Sequence, residues 1–182
     1  MRKLIIVAAL SISAAVLAGC GTQNPADAPC ASVQNDSLTR APGFVLSDEL
    51  TEVKIGEDGT LMLLSNRLTG HNYAGGAGLW RMFYNTKDEK EMQIDGSDNT
   101  PVVTKDGNTV TISYRNLVHR GKALNMDLTL TVSLEDRTVR FGSTLANNEP
   151  HTIIRELQYP LVGDMDLPEG HKLLTTHTGG QV

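Results

Sequence analysis

The chain reads as an all-β protein built as an antiparallel β-sandwich, and three observations predict it. Past Phe44 the apolar residues recur with period two rather than 3.6. Turn-forming clusters, Gly56-Glu57-Asp58-Gly59 and Asp106-Gly107-Asn108, sit between alternating runs where a hairpin needs its reversal. No stretch shows a helical period of useful length. Long strands with one apolar face need a second apolar layer, so two sheets packed face to face are expected.

The chain opens with Arg2 and Lys3, then an uncharged stretch from Leu4 to Leu17, then Leu17-Ala18-Gly19-Cys20. A short basic segment leading into an apolar one is signal-peptide architecture. The apolar stretch is shorter than the roughly 20 residues a spanning helix needs, and Ser11 and Ser13 weaken it. Residues 1–19 are therefore expected to be a cleaved signal. Leu17-Ala18-Gly19-Cys20 resembles the lipobox of bacterial lipoproteins. That resemblance implies a diacylglyceryl group on the Cys20 thiol, cleavage after Gly19 and acylation of the new amino terminus, with membrane lipid as the partner. One acyl chain binds a membrane only marginally, at about 10⁴ M⁻¹, whereas two or more anchor stably. The competing reading is an ordinary secretory signal cut after Ala18, with Cys20 incidental. Gly21 stands where an Asp resembles an inner-membrane retention signal, so the expected address is the cell envelope, at the outer membrane.

Cys20 and Cys30 are the only cysteines. Lipidation of Cys20 leaves Cys30 without a partner in its own chain; without lipidation, a Cys20–Cys30 loop in an oxidising compartment is the alternative. Removing residues 1–19 leaves 163 of 182 residues. Losing Arg2 and Lys3 from 16 basic against 21 acidic side chains takes the net charge from −5 to −7. An acidic chain is ill suited to a phosphate backbone, so nucleic acid is excluded as an expected partner. Residues 20–42 carry Ala, Pro, Asn, Gln, Ser and Thr with few large apolar groups, and they read as a flexible tether. The sandwich is expected over 43–182.

Within that span Thr51–Ile55 and Thr60–Ser65 flank the first glycine turn, and Val102–Lys105 and Thr109–Leu117 flank the second. From Thr109 to Tyr114 the set Val110, Ile112 and Tyr114 falls on one face. Leu124 to Leu134 repeats the pattern with Met126, Leu128, Leu130, Val132 and Leu134 inward. After Glu135-Asp136-Arg137 the set Val139, Phe141 and Leu145 continues it, so 124–147 reads as one long hairpin. Ile153, Leu157 and Tyr159 mark a last strand closed by Pro160.

Three segments then stand in a suggestive order: Asn66-Arg67-Leu68-Thr69-Gly70, Gly78-Leu79-Trp80-Arg81, and Arg155-Glu156-Leu157-Gln158-Tyr159-Pro160-Leu161-Val162-Gly163. With the long hairpins between them they resemble the N-terminal β-supersandwich of certain large bacterial glycoside hydrolases, a domain of galactose-mutarotase-like fold. The resemblance covers about Leu50 to the C-terminus. It implies a module beside a (β/α)₈ catalytic barrel that carries the acidic pair, so no catalytic residue transfers to this chain. A supersandwich ordinarily continues past the point reached at Gly179-Gly180-Gln181-Val182, so an incomplete sheet is expected there.

Candidate chemistry within the chain is sparse. Asp164 and Asp166 share a face if extended, with Glu156 on the preceding strand, near the 5–9.5 Å over which carboxyl pairs hydrolyse glycosides. Their glycine- and proline-rich setting reads instead as a solvated rim. His71, His119, His151, His171 and His177 are scattered without zinc-ligand spacing; His171 and His177, six apart, are the nearest pair, and neither a metal nor a cofactor is expected. Asn72-Tyr73-Ala74-Gly75-Gly76-Ala77-Gly78 leads to a strand rather than opening a helix, so it reads as a mobile loop rather than a phosphate cradle. Trp80, with Arg81 beside it, is either core or a platform for a sugar ring, and His71 joins them as a candidate ligand-binding residue. Aromatic content of 4% argues against a row of exposed stacking rings.

Three readings of function follow. The chain is the lipid-anchored, non-catalytic accessory module of a glycoside hydrolase; or a free-standing surface lipoprotein that binds a glycan or protein partner; or a small mutarotase-type enzyme, which requires a His and a carboxylate to converge. The first is the expectation, with an oligo- or polysaccharide as the partner.

Overall fold

A computed structural model describes residues 3–8, 43–74 and 78–162. Cys20, Cys30, the tether, Asp164, Asp166, His171 and His177 lie outside them. The described residues are all-β, with fourteen strands and one 3₁₀ turn. In chain order these are β1 (Lys3–Ala8), β2 (Phe44–Ser47), β3 (Thr51–Ile55), β4 (Leu61–Asn66), β5 (His71–Asn72), β6 (Arg81–Asn85) and β7 (Met92–Asp95). The 3₁₀ turn Gly96–Asp98 follows, then β8 (Val102–Asp106), β9 (Thr109–Tyr114), β10 (Val118–His119), β11 (Lys122–Ala123), β12 (Met126–Glu135), β13 (Thr138–Asn147) and β14 (Ile153–Gln158). No helix among the described residues is long and apolar enough to cross a membrane.

Every pairing is antiparallel. The largest sheet runs β1-β13-β12-β9-β8, a second runs β2-β3-β4-β5, a third β14-β6-β7, and β10 and β11 form a short ribbon. The expected two layers are thus hydrogen-bonded as four sheets, and the apolar faces of the three larger ones meet in one core. Strand β12 shows why: Met126, Leu128, Leu130, Val132 and Leu134 are all buried while the residues between them are half-buried. Val110, Ile112 and Tyr114 of β9 lie beside them in register, as do Val139, Phe141 and Leu145 of β13. Burying each such side chain contributes about 1.5–3 kcal/mol.

Turn chemistry sets these registers. The β3–β4 turn closes with Gly59 N donating to Gly56 O at 2.9 Å, and Gly59 sits at φ +78°. Asp58 fixes it, its Oδ2 accepting from Thr60 Oγ1 at 2.7 Å. Asp106 pairs with Thr109 around Gly107, whose φ of +53° suits the first position of a II′ hairpin. The long hairpin reverses at Asp136 and Arg137, both at positive φ (49° and 62°), the I′ geometry that glycine or asparagine adopts more easily.

Two aromatic contacts lock the sheets together. Trp80, which leads into β6, meets Tyr114 of β9 edge-on with centroids 5.2 Å apart. Phe141 of β13 meets Tyr159 likewise at 5.8 Å, and Tyr159 Oη donates to Thr131 O at 2.8 Å. Burial, with a smaller push from Tyr114, raises the Tyr159 phenol far above its ordinary range, so it stays protonated and keeps that bond.

The last strand differs from its expected phase. Leu157 and Tyr159 pack on the core as expected, but Ile153 is 65% exposed and Ile154 packs there in its place. The pairing of β14 with β6 shifts register between Ile154 and Glu156, a bulge that leaves Arg155 extra and turns the spacing of inward residues from two to three. Leu79 and Trp80 are consecutive and both buried, because they precede the start of β6.

Candidate functional site

Three connections converge at one end of the sheets and enclose a cleft of about 600 Å³. The first joins β6 to β7. Thr86 N donates to Glu89 O at 2.8 Å, and Thr86 Oγ1 accepts from Glu89 N at 3.0 Å, so Glu89 is held on the rim. The second is the β10–β11 ribbon, reversed at Arg120 and Gly121, both at positive φ (50° and 76°) as a two-residue I′ turn requires. The third joins β13 to β14. Glu149 N donates to Asn147 Oδ1 at 3.1 Å, and Glu149 Oε2 accepts from Asn125 N at 2.7 Å.

At the centre, Tyr84 Oη and His119 Nδ1 are 2.7 Å apart with their rings edge-on. Alternation along β6 buries Tyr84, and the I′ turn puts His119 over it. Desolvation, then the neighbouring Arg120 cation, holds the His119 imidazole below its ordinary pKa, so it is neutral at pH 7. Desolvation raises the Tyr84 phenol. One proton therefore lies between two neutral groups: the phenol donates to Nδ1 in the Nε2–H tautomer and accepts from it in the other.

The lining is amphipathic and balanced in charge. Leu124, Met92 and Pro150 supply apolar surface; Lys87, Arg120 and Lys122 face Asp88, Glu89 and Glu149. Arg120 Nη1 lies 3.3 Å from Glu89 Oε1, an exposed pair of little energetic weight that orients both side chains. Arg120 and His151, on two of the walls, sit in the left-handed region, as does Glu91, which lines the adjoining groove beside His119. Non-glycine residues held there store strain, and such strain gathers where a rim is shaped for use. The arrangement can donate hydrogen bonds to a ligand and accept them from it. Among the described residues no group of three or more His, Cys, Asp or Glu side chains could hold a metal ion.

The residues singled out from sequence lie elsewhere. Trp80 is fully buried, so its indole offers no face for a sugar ring to stack on, and the platform alternative gives way to core packing. Arg81 Nε pairs with Asp95 Oδ1 at 2.6 Å. Burial raises the Asp95 carboxyl, but hydrogen bonds from Arg81 and Gln93 and the Arg81 charge outweigh it and leave it below its ordinary value. His71 stands edge-on to Tyr73 at 4.7 Å, its Nε2 buried without a hydrogen-bond partner. None of the three lines this cleft. Glu156 is exposed on β14 and accepts from Gln158 Nε2 at 2.9 Å.

Sequence reasoning reached His119 only as one scattered histidine and did not single out Tyr84. Their pairing spans 35 residues and leaves no local trace. The one available signal was Arg120-Gly121 between Val118-His119 and Lys122-Ala123, a hairpin turn that presents His119 at its base.

A second, smaller cleft of about 420 Å³ lies between the β3–β4 turn and the 3₁₀ turn. Trp80 Nε1 is buried behind it with no hydrogen-bond partner. The Tyr114 phenol, raised by burial and partly offset by Trp80, is near the indole, but the two fall short of hydrogen-bond geometry. A buried donor left unmet costs about 1–3 kcal/mol.

Comparison with protein-family models, with curated proteins and with solved structures finds no match to this chain.

Proposed function

We propose that the chain is a lipid-anchored β-sandwich of the bacterial cell envelope, the non-catalytic N-terminal accessory module of a glycoside hydrolase, and that the Tyr84–His119 cleft binds the glycan. The cleft carries the reading. It is large enough for a sugar, within the roughly 300–1,000 Å³ of ligand sites, and it sets apolar surface from Leu124 and Met92 among neutral and balanced polar groups. Sugars present both faces at once, apolar C–H patches and hydroxyls that donate and accept. A neutral imidazole paired with a phenol meets such hydroxyls without the desolvation cost of an ion. Glu89 and Arg120 add charge-assisted hydrogen bonds at the rim.

The anchoring half of the reading rests on Leu17-Ala18-Gly19-Cys20 and the apolar stretch before it. Catalysis is assigned to no residue of this chain.

A glycan microarray probed with residues 20–182, wild type and Arg120→Ala, tests the binding half. Binding to one glycan class that falls at least tenfold in Arg120→Ala supports it. A folded protein that binds no glycan, or binds equally well in both forms, removes the reading.

A further inference from the structure

The largest sheet carries strands of opposite character at its two ends. At one end β8 is short, running only from Val102 to Asp106, with Pro101 before it and Lys105 and Asp106 within it. Proline, lysine and brevity are means by which a sheet edge resists pairing with another chain. Toward the other end β13 runs ten residues from Thr138 to Asn147, with no proline and with Arg140 as its one charged side chain. Little in its composition resists a further strand.

In the full chain that edge is taken. β1 lies antiparallel along it, with Lys3 opposite Ala146, Leu4 opposite Leu145 and Ala8 opposite Phe141. The edge thus accepts a strand in register from a remote part of the sequence. β1 falls within residues 1–19, so the processing expected of the signal removes it and leaves β13 outermost among the described strands of a β13-β12-β9-β8 sheet. β13 stays paired with β12 over its whole length, and Val139, Phe141 and Leu145 stay on the core, so the edge keeps its shape.

The geometry of β13 fits a second copy of itself. Glu135 and Thr138 close a two-residue I′ turn, so even-numbered residues of β13 bond to β12 and odd-numbered ones aim their backbone groups at the outer edge. Set antiparallel about a two-fold axis at residue 143, two copies bring odd opposite odd: buried Phe141 faces buried Leu145 of the other copy. Arg140 then faces the other copy's Ala146, so a basic residue and a large apolar one occupy the places that Lys3 and Leu4 hold in β1. At about 3.4 Å per residue the two Arg140 positions lie roughly 20 Å apart, and their like charges do not meet.

We propose that β1 masks the edge of β13 in the precursor, and that its removal opens the edge to a second copy, so that two mature chains form a two-fold dimer with one continuous sheet. The proposal rests on the signal-and-anchor half of the proposed function. Chains anchored on one membrane meet at raised effective concentration, so a contact at the low end of interface areas suffices.

Sedimentation velocity of residues 20–182, with reductant to keep Cys20 and Cys30 from cross-linking, tests it. A monomer–dimer equilibrium is expected, with a Kd of roughly 10–100 μM for so small an interface. Thr144 is exposed, and in the dimer its two copies stand diagonally across the junction, about 7 Å apart. Thr144→Lys is expected to weaken association at least tenfold while near-ultraviolet dichroism stays native. Val102→Lys, on the opposite edge, leaves it unchanged, and a peptide of residues 2–9 dissociates the dimer. A monomer at every concentration, a dimer that withstands Thr144→Lys or the peptide, or one lost in Val102→Lys overturns the proposal. So does a monomer whose Phe141 and Leu145 amides resist hydrogen exchange, which means that residues 163–182 of the same chain fill the edge. The mass of the chain recovered from cells reads cleavage after Gly19 separately, so an uncleaved signal and an edge that does not pair are distinguishable failures, and either overturns the proposal.

Discussion

Tyr84 Oη and His119 Nδ1 meet at 2.7 Å across 35 residues of sequence, one from a strand of the three-stranded sheet and the other from the base of a two-residue hairpin turn. The contact joins the β10–β11 ribbon to the body of the sandwich and gives the larger cleft its centre.

The first prediction concerns the charge on that imidazole. Desolvation and then Arg120 lower its pKa in the fold, so on acidification the unfolded chain takes up this proton first. Stability from this group is intact above about pH 6.5 and falls as the pH drops from there toward the lower folded value. Arg120→Gln removes the like charge and moves the His119 pKa upward. Imidazole carbon-bound proton shifts followed by NMR across pH 4–8 read both values. An unchanged or lower pKa in Arg120→Gln contradicts the assignment.

Leu130→Ala is expected to destabilise the fold by about 2–5 kcal/mol, because its side chain is wholly buried at the middle of β12. Thr129→Ala, on the other face of the same strand, should cost under about 1 kcal/mol. Urea unfolding of the two variants separates these, and similar midpoints would mean that the faces of β12 are misassigned.

These two residues also show how far the sequence is legible. Strict alternation from Met126 to Leu134 is enforced by a sheet with one covered face, so the pattern survives in the chain itself. The same rule misplaced Ile153, because a bulge adds a residue without any turn-like signature. Trp80 could be assigned to core or surface only by neighbours that come from elsewhere in the chain, Tyr114 and Gly96. The larger cleft was invisible for a like reason: its walls are the 86–91, 119–122 and 147–152 connections, which topology alone brings together.

Arg137→Gly should stabilise the protein. Arg137 holds φ at +62° in the long hairpin turn, where an L-residue is about 1–2 kcal/mol worse off and glycine is not. Glycine's larger unfolded entropy returns about 0.5–1 kcal/mol of that, and the exposed Arg137–Glu49 pair at 3.3 Å contributes little. A net gain of about 0.5–1 kcal/mol is expected, visible as a raised thermal midpoint. A lowered midpoint would mean that Arg137 makes contacts worth more than its backbone strain.

Residues 1–19 are expected to be dispensable for folding. In the full chain β1 pairs along one edge of β13, and β13 keeps its full pairing with β12 when residues 1–19 are cleaved. Residues 20–182 should therefore unfold with the same cooperativity as the full chain. In cells fed a clickable fatty acid, the wild type should carry label, and Cys20→Ala should lose both label and processing. Label retained in Cys20→Ala excludes the lipobox.

The central claim is that glycan binds against the Tyr84–His119 pair. The direct measurement is the NMR signal of the His119 imidazole during titration of residues 20–182 with the oligosaccharide selected on the microarray. We expect the His119 signal to move saturably with the bound fraction while that of His71, outside the cleft, stays fixed. Saturable glycan binding with an unmoved His119 would contradict the account.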